Sequence, residues 1–133
     1  MNENPSILVV DDELLIRDLL YDFFSGQGWQ VSIADSAEKA LDILSAREID
    51  VLLTDIKMPN MDGLALSSQV RDEYPELPVV LMTGYPSVDT AVSALRQRVT
   101  DYVIKPFNIN QLYKLVAGAV KENAASQENR EKG

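Results

Sequence analysis

The sequence of 133 residues contains neither histidine nor cysteine. Without histidine, the chain lacks the commonest general base and the commonest zinc ligand, and it cannot form phosphohistidine. Without cysteine, it has no disulfide and no thiolate metal site, which fits a cytoplasmic protein. Any catalytic or binding chemistry in this chain must therefore depend on carboxylates, lysine and hydroxyl groups.

Basic residues are scarce as well, with 12 Lys and Arg against 21 Asp and Glu, for a formal net charge of −9. This charge argues against direct binding of nucleic acid or of an anionic membrane surface. The longest apolar runs, ILVV, VLL and PVVLM, are far too short to span a bilayer. The polar N-terminus MNENPS has the features of neither a secretory signal nor a transit peptide. We therefore expect one cytoplasmic domain that makes no membrane or nucleic-acid contact itself.

Short apolar runs alternate along the chain with stretches of helical periodicity. The runs begin near Ile7, Trp29, Val51, Val79 and Tyr102. Five strand-then-helix units predict a parallel sheet with helices on both faces, and right-handed crossovers make this α/β fold doubly wound. Residues 1–120 are predicted as one domain. The polar residues 121–133 are predicted as a helix end that passes into a flexible linker.

The periodicity also predicts the apolar face of each helix. We expect the following residues to share such a face in the first and fourth helices: Leu15, Leu19, Leu20 and Phe23, then Val88, Ala91, Val92 and Leu95. Ser36 and Asn108 are expected to cap the second and fifth helices, and Asp12 is a candidate cap for the first. Pro59 should delay the third helix until after a turn at residues 61–63.

Polar side chains follow four of the five predicted strands. These are Asp11 and Asp12 after the first, Asp55 after the third, Thr83 after the fourth and Lys105 after the fifth. The carboxyl ends of parallel strands form one edge of the sheet, where ligands bind in open α/β folds, so these groups should converge. Each residue alone would fit an ordinary cap, turn or strand end. Their joint placement favours a functional site.

Three carboxylates at one edge repel one another. Each close pair among Asp11, Asp12 and Asp55 costs about 4 kcal/mol at an effective dielectric near 20. Several such pairs would offset most of the stability of a small domain, about 5–15 kcal/mol. Protonation, a buried lysine or a metal ion must compensate, and oxygen-only ligation favours Mg²⁺. Mg²⁺ with Lys105 and the Thr83 hydroxyl suits phosphoryl transfer, with Asp55 as the candidate nucleophile.

The segments VVDDE, LLTDIKMPNMDG, VVLMTGY and DYVIKPF resemble the signature segments of response-regulator receiver domains of two-component signalling, over about residues 6–120. The resemblance implies a flavodoxin-like (βα)5 sandwich with strand order 2-1-3-4-5. It implies a phosphorylation switch, and not a turnover enzyme, in which Asp55 accepts a phosphoryl group from a partner histidine kinase. By the same resemblance, Asp12, Asp55 and the backbone carbonyl of Lys57 bind Mg²⁺, and Asp11 acts through a metal-bound water.

The resemblance also assigns roles around the phosphoryl group. Lys105 would bind a phosphoryl oxygen, next to a Lys105–Pro106 bond that is typically cis in the family. Thr83 would be the switch hydroxyl drawn toward the phosphate, and Tyr102 the aromatic residue that turns inward with it.

The resemblance further implies how the signal is read. The readout surface would be the fourth helix, fifth strand and fifth helix, which could also form a homodimer interface. Lys57 and Tyr85 flank the site and would tune the lifetime of the phosphoryl group. The stretch TGYPSVDTAVSAL is similar to receivers that precede AAA+ transcriptional activators, which implies a C-terminal effector domain.

One dipeptide departs from the family pattern. Receivers commonly carry Gly-Ala where this chain has Arg98-Val99. Glycine suits the left-handed residue that ends a helix. Arg98 in that conformation would cost about 1 kcal/mol, or would require the fourth helix to end in another way.

Two other functions use similar residues. A Mg²⁺-dependent aspartyl-phosphate phosphatase of the haloacid-dehalogenase type also relies on Asp, Thr or Ser, and Lys. Its nucleophile follows the first strand in an Asp-x-Asp arrangement, whereas this chain has Asp11-Asp12-Glu13 there. A flavodoxin-type cofactor binder needs a Gly/Ser/Thr-rich phosphate loop after the first strand, which the sequence DDELL does not provide.

Overall fold

The computed structural model describes the backbone of residues 4–132 and the side chains of residues 4–127. Residues 1–3 of the polar N-terminus and Gly133 of the tail lie outside the described residues, and so do the predictions made for them. The elements in chain order are β1 (Ser6–Val10), α1 (Leu14–Gly26), β2 (Gln30–Ala34), α2 (Ala37–Ala46), β3 (Val51–Asp55), α3 (Gly63–Glu73), β4 (Val79–Thr83), α4 (Val88–Arg96), β5 (Asp101–Ile104) and α5 (Ile109–Lys132).

The five strands form one parallel sheet in the order β2-β1-β3-β4-β5. This order confirms the predicted doubly wound, flavodoxin-like fold. Strands β1, β3 and β4 are buried at every position, as expected for central strands covered on both faces. Alternate residues enter two apolar layers, so that Leu52 packs with α2 and α3 while Leu53 packs with α1 and α5.

Helix α1 buries only part of the predicted face, since Phe23 packs against the core but two of the predicted leucines do not. Leu20 and Phe24 are fully buried, whereas Leu15 and Leu19 are 81% and 47% exposed. The ring of Phe24 packs edge-on against Trp29, with 5.1 Å between the ring centroids. Burial of the larger aromatic side chain sets the rotation of the helix, so the prediction for Leu15 and Leu19 was wrong.

The predicted apolar face of α4 is largely exposed. Val88 and Leu95 are 79% and 77% exposed, and Val92 is 37% exposed. Ala94 is the buried residue of this helix. Because one methyl side chain contributes little apolar burial, α4 is weakly packed on the sheet.

The predicted caps of α2 and α5 are confirmed, and that of α1 is not. The side chains of Ser36 and Asn108 accept backbone N–H groups in the first turns that follow them. Asp12 does not cap α1, because the N-cap residue is Glu13. Instead, Oδ1 of Asp11 accepts the N–H of Glu13 at 2.9 Å. The first helix is therefore anchored to a residue of the predicted site.

Helix α5 runs from Ile109 to Lys132 and so continues through most of the segment 121–133. The role of this segment as a flexible linker stays a prediction. Within the part of the chain that the structure describes, no helix combines the length and the apolar character that a membrane span requires.

Arg98 adopts the left-handed conformation after α4, with φ of 56°. The N–H groups of Arg98 and Val99 bond to the carbonyls of Leu95 and Ala94 at 3.0 and 3.2 Å. The fourth helix therefore ends with Arg98 in the strained left-handed conformation, and not in another way.

Arg98→Gly should stabilise the domain, because glycine adopts positive φ without the steric cost that a Cβ imposes. A gain of about 1 kcal/mol corresponds to a rise of about 3 °C in the melting temperature for a domain of this size. Thermal unfolding of both proteins, followed by circular dichroism, measures this difference. An unchanged or lower melting temperature would show that the side chain of Arg98 contributes more than its backbone costs.

Candidate functional site

The polar residues at the four strand ends meet at one edge of the sheet. Asp11, Asp55 and Thr83 are buried there, whereas Asp12 is exposed. One carboxylate oxygen from each of the three aspartates lies within 4.8 Å of the others. The predicted convergence of these carboxylates is therefore confirmed.

Lys105 supplies the positive charge at this edge. Its Nζ lies 2.7 Å from Oδ2 of Asp11, 3.5 Å from Oδ1 of Asp55 and 3.4 Å from Oε1 of Glu13. The Lys105–Pro106 bond is cis, as the family resemblance implied. One cation thus faces several carboxylates, and the negative charge of the site is only partly balanced.

Asp11 is held at both of its carboxylate oxygens. Oδ1 accepts the N–H of Glu13, and Oδ2 accepts a hydrogen bond from Lys105. The guanidinium of Arg17 donates to the backbone carbonyl of Asp11 at 2.8 Å, which fixes the turn between β1 and α1. Because both oxygens are engaged, Asp11 is better suited to act through a water than to bind a metal directly.

The electrostatic environment raises the pKa of Asp55 to about 6, first through burial and then through the negative charge of Asp11. Burial also raises the pKa of Asp11. Burial alone would lower the pKa of Lys105, but its hydrogen bond to Asp11 and the surrounding carboxylates outweigh that effect and raise it. The charged form of Asp55 therefore costs folding stability, and this cost grows as the pH rises from 3.8 to about 6.

The loop between β3 and α3 folds back onto Asp55. The N–H of Gly63 donates to the carbonyl of Ile56 at 2.8 Å. A Cβ on Gly63 would lie 2.1 Å from the backbone oxygen of Asp55, so only glycine allows α3 to begin there. The third helix begins at Gly63, after the predicted turn, and the side chain of Asp62 caps it, a role that was not predicted. Lys57 lies exposed in the loop, and its roles as a carbonyl ligand and in tuning the lifetime stay predictions.

The predicted switch residues lie on the neighbouring strands β4 and β5, where Tyr102 is opposite Leu81 and Thr83 is opposite Ile104, and they make different contacts. Oγ1 of Thr83 accepts the backbone N–H of Tyr85 at 3.0 Å, while the side chain of Tyr85 is 73% exposed. The half-buried Tyr102 contacts α4 through its hydroxyl, which lies 2.8 Å from Oγ1 of Thr90. The structure thus brings Thr83 to the edge with the carboxylates, whereas Tyr102 is bonded to a helix.

Three contacting residues were missed by the sequence reasoning. Glu13 could have been included, because it is acidic and lies in the same strand-end turn as Asp11. Arg17 lies on the first turn of α1, where a basic side chain can reach that turn. The contact of Thr90 with Tyr102 had no sequence signal, because it depends on how α4 sits on β5.

The donor set at this edge is suited to a hard divalent cation. Carboxylate oxygens are the ligands that Mg²⁺ and Ca²⁺ prefer, and the aspartate oxygens are close enough to share one ion. Lys105 and Thr83 add a cation and a hydroxyl at the same edge. Such a site can neutralise and orient an anionic group such as a phosphoryl group.

Comparison with known proteins agrees with this geometry. The family model for the response regulator receiver domain matches residues 7–117. The chain is 41% identical over 122 residues to the DNA-binding transcriptional regulator NtrC of Klebsiella pneumoniae, which covers 92% of this chain and 26% of NtrC. The chain thus spans about a quarter of the length of this curated relative.

Solved structures share the fold. A CheY-like receiver domain protein of Methanospirillum hungatei superimposes with a TM-score of 0.90 at 27% identity, over 93% of this chain and 99% of the other. The response regulator TrrA of Thermotoga maritima, solved in complex with Mg²⁺-BeF, does so with a TM-score of 0.79 at 30% identity, over 86% and 98%. On the family match, the identity to NtrC and the arrangement of the site, this chain belongs to the response regulator receiver domain family.

Proposed function

We propose that Asp55 accepts a phosphoryl group from a phosphohistidine of a partner histidine kinase. A carboxylate oxygen of Asp55 forms a bond to phosphorus as the bond from phosphorus to the imidazole nitrogen breaks. The phosphohistidine ring, protonated on its other nitrogen, keeps that proton and the electron pair of the broken bond, and leaves as neutral histidine. The contacts of Asp55 with Ile56 N–H and Lys105 are both to Oδ1. We therefore assign the attack to Oδ2. The observation that carries this proposal is the buried Asp55 beside Lys105 within a cluster of carboxylates.

We assign Mg²⁺ to the carboxylate cluster, with Asp12, Asp55 and the backbone carbonyl of Lys57 as direct ligands and Asp11 as a partner through water. The engagement of both Asp11 oxygens and the exposure of Asp12 support this division of roles. When bound, Mg²⁺ supplies charge neutralisation of the phosphoryl oxygens. Lys105 is positioned to bind one such oxygen, because its Nζ already lies 3.5 Å from Oδ1 of Asp55.

Phosphorylation would act as a switch through Thr83 and Tyr102. The new phosphoryl oxygens are strong acceptors, and the hydroxyl of Thr83 and the ammonium of Lys105 lie at the same edge of the sheet and can donate to them. A shift from 1:99 to 99:1 between two conformations requires about 5.5 kcal/mol. Two or three charge-assisted hydrogen bonds supply a free energy of this size. Tyr85, which donates to Thr83, is assigned to tuning the phosphoryl lifetime together with Lys57.

The surface of α4, β5 and α5 is the proposed readout and homodimer surface. Its exposed apolar residues support this assignment: Val88, Leu95 and Ile104 are 79%, 77% and 53% exposed. The relative NtrC is a DNA-binding transcriptional regulator about four times the length of this match. We therefore propose that this domain regulates a C-terminal effector domain of a transcriptional regulator. The expected cytoplasmic location stays a prediction.

The receiver function is favoured over both alternatives. The phosphatase alternative requires an Asp-x-Asp arrangement after the first strand, whereas β1 is followed by Asp11-Asp12-Glu13 and the receiver family model matches residues 7–117. The flavodoxin-type alternative has no phosphate loop after β1, where Asp11 and Glu13 instead contact Lys105. We accordingly propose self-catalysed phosphorylation without turnover on external substrates.

Millimolar Mg²⁺ should raise the melting temperature of the domain, because it offsets repulsion among the carboxylates. At a hundredfold excess over its dissociation constant, one bound ion adds about 2.7 kcal/mol to the free energy of unfolding. Thermal unfolding with Mg²⁺ or with EDTA measures the gain. Asp12→Asn should reduce it, whereas Asp42→Asn, which changes an exposed carboxylate on α2, should not. No response of the wild-type protein to Mg²⁺ would contradict the metal assignment.

Acetyl phosphate with Mg²⁺ should add one phosphoryl group per chain, detected by intact-protein mass spectrometry. Asp55→Asn should abolish the labelling, because the amide cannot form the acyl phosphate. Labelling that persists in Asp55→Asn would place the nucleophile elsewhere. Steady release of many phosphates per chain from a small phosphomonoester would instead support the phosphatase alternative.

A further inference from the structure

Helix α4 is attached to the rest of the domain chiefly at its two ends. Its buried residue is Ala94, and its larger apolar side chains are mostly exposed. At the C-terminal end, the guanidinium of Arg71 donates to the carbonyl of Gln97, and the Gln97 side chain donates to the carbonyl of Leu64 at 3.1 Å. These bonds tie the end of α4 to α3, which carries no predicted switch residue.

The N-terminal end of α4 is tied to β5 by one side-chain hydrogen bond. Oγ1 of Thr90 lies 2.8 Å from the hydroxyl of Tyr102. Thr90 is also the third residue of α4 and forms a capping box with Ser87, in which each side chain accepts the backbone N–H of the other at 3.1 and 3.3 Å. Thr90 therefore belongs both to the first turn of α4 and to the contact with a predicted switch residue.

The protons and lone pairs of the Thr90 hydroxyl show that its role in the capping box and its contact with Tyr102 are separate. A threonine hydroxyl has one proton to donate and two lone pairs to accept with. Oγ1 of Thr90 lies 3.1 Å from the carbonyl of Ser87, 3.0 Å from its Oγ and 2.8 Å from the hydroxyl of Tyr102. With its own proton on the Ser87 carbonyl, Oγ1 can accept the proton of Tyr102. The capping box does not need that donor. Loss of the Tyr102 bond therefore detaches the first turn of α4 from β5 but leaves its capping box in place.

We propose that Thr90 is the positioning residue through which Tyr102 holds α4 in the resting arrangement, and that phosphorylation releases α4 by breaking this bond. The proposal rests on the proposed function, in which Tyr102 turns inward. A change of χ1 from one staggered rotamer to another moves the tyrosine hydroxyl by several ångströms, and no hydrogen bond spans that displacement. The contacts of Arg71 and Gln97 with the other end of α4 do not involve Tyr102, so that end serves as the pivot.

A double-mutant cycle of Thr90→Val and Tyr102→Phe tests the proposal when urea unfolding is measured in two states of the protein. Without a phosphoryl mimic, the two substitutions should be non-additive, with a coupling of about fivefold in the unfolding equilibrium constant. With Mg²⁺ and beryllofluoride, a mimic of the phosphoryl group, the coupling should disappear because the bond is already broken. Both single variants should also bind beryllofluoride about fivefold more tightly, since the resting state has lost a bond.

Thr90→Ser is the matched control, because serine keeps the hydroxyl and the capping box. In that background, Tyr102→Phe should have the same effect as in the wild-type protein. Additive effects of Thr90→Val and Tyr102→Phe in the resting state would overturn the proposal, because the bond would then contribute nothing. Equal coupling with and without beryllofluoride would also overturn it, since the bond would be purely structural.

Failure of the proposed function gives a different result. In that case, beryllofluoride would not change the unfolding of the wild-type protein or of any variant. The role of Thr90 in switching would then be overturned as well, while the coupling in the resting state would still report the bond itself.

Discussion

The repulsion among Asp11, Asp12 and Asp55 is the constraint on which the rest of this structure depends. Strands β1 and β3 are neighbours, and their register sets Val10 opposite Thr54, so that Asp11 and Asp55 follow side by side. This register therefore keeps the two carboxylates close together. Lys105 partly balances them, since its Nζ lies 2.7 Å from Asp11 and 3.5 Å from Asp55. The remaining negative charge makes the edge suited to a divalent cation and to a chemical change at Asp55.

The surrounding structure combines a rigid site with a loosely attached helix. Gly63 allows α3 to begin against the carbonyl of Asp55, and the fully buried central strands hold that aspartate in place. By contrast, α4 has one buried side chain and is held at its ends by hydrogen bonds. A local change of charge at Asp55 can therefore be transmitted to α4, because little free energy is needed to break the contacts that hold this helix.

The sequence predicts the sheet and the strand-end residues well, because both follow from local patterns. Apolar runs of strand length indicate β1, β3 and β4, and the topology of parallel sheets brings their last residues together. The apolar faces of α1 and α4 were predicted wrongly for Leu15 and Leu95, because periodicity identifies a stripe without showing whether another element covers it. The bond between Thr90 and Tyr102 joins separate elements, so its geometry follows from packing and not from spacing.

The central claim is that uncompensated negative charge at the strand ends prepares Asp55 for its chemistry. Titration of the Asp55 carboxyl carbon by NMR in the metal-free protein tests this claim most directly. The account predicts a pKa of about 6, well above the ordinary 3.8, that falls when Mg²⁺ is added. A midpoint close to 3.8 that does not move with Mg²⁺ would contradict it, because the carboxylates would then need no further positive charge.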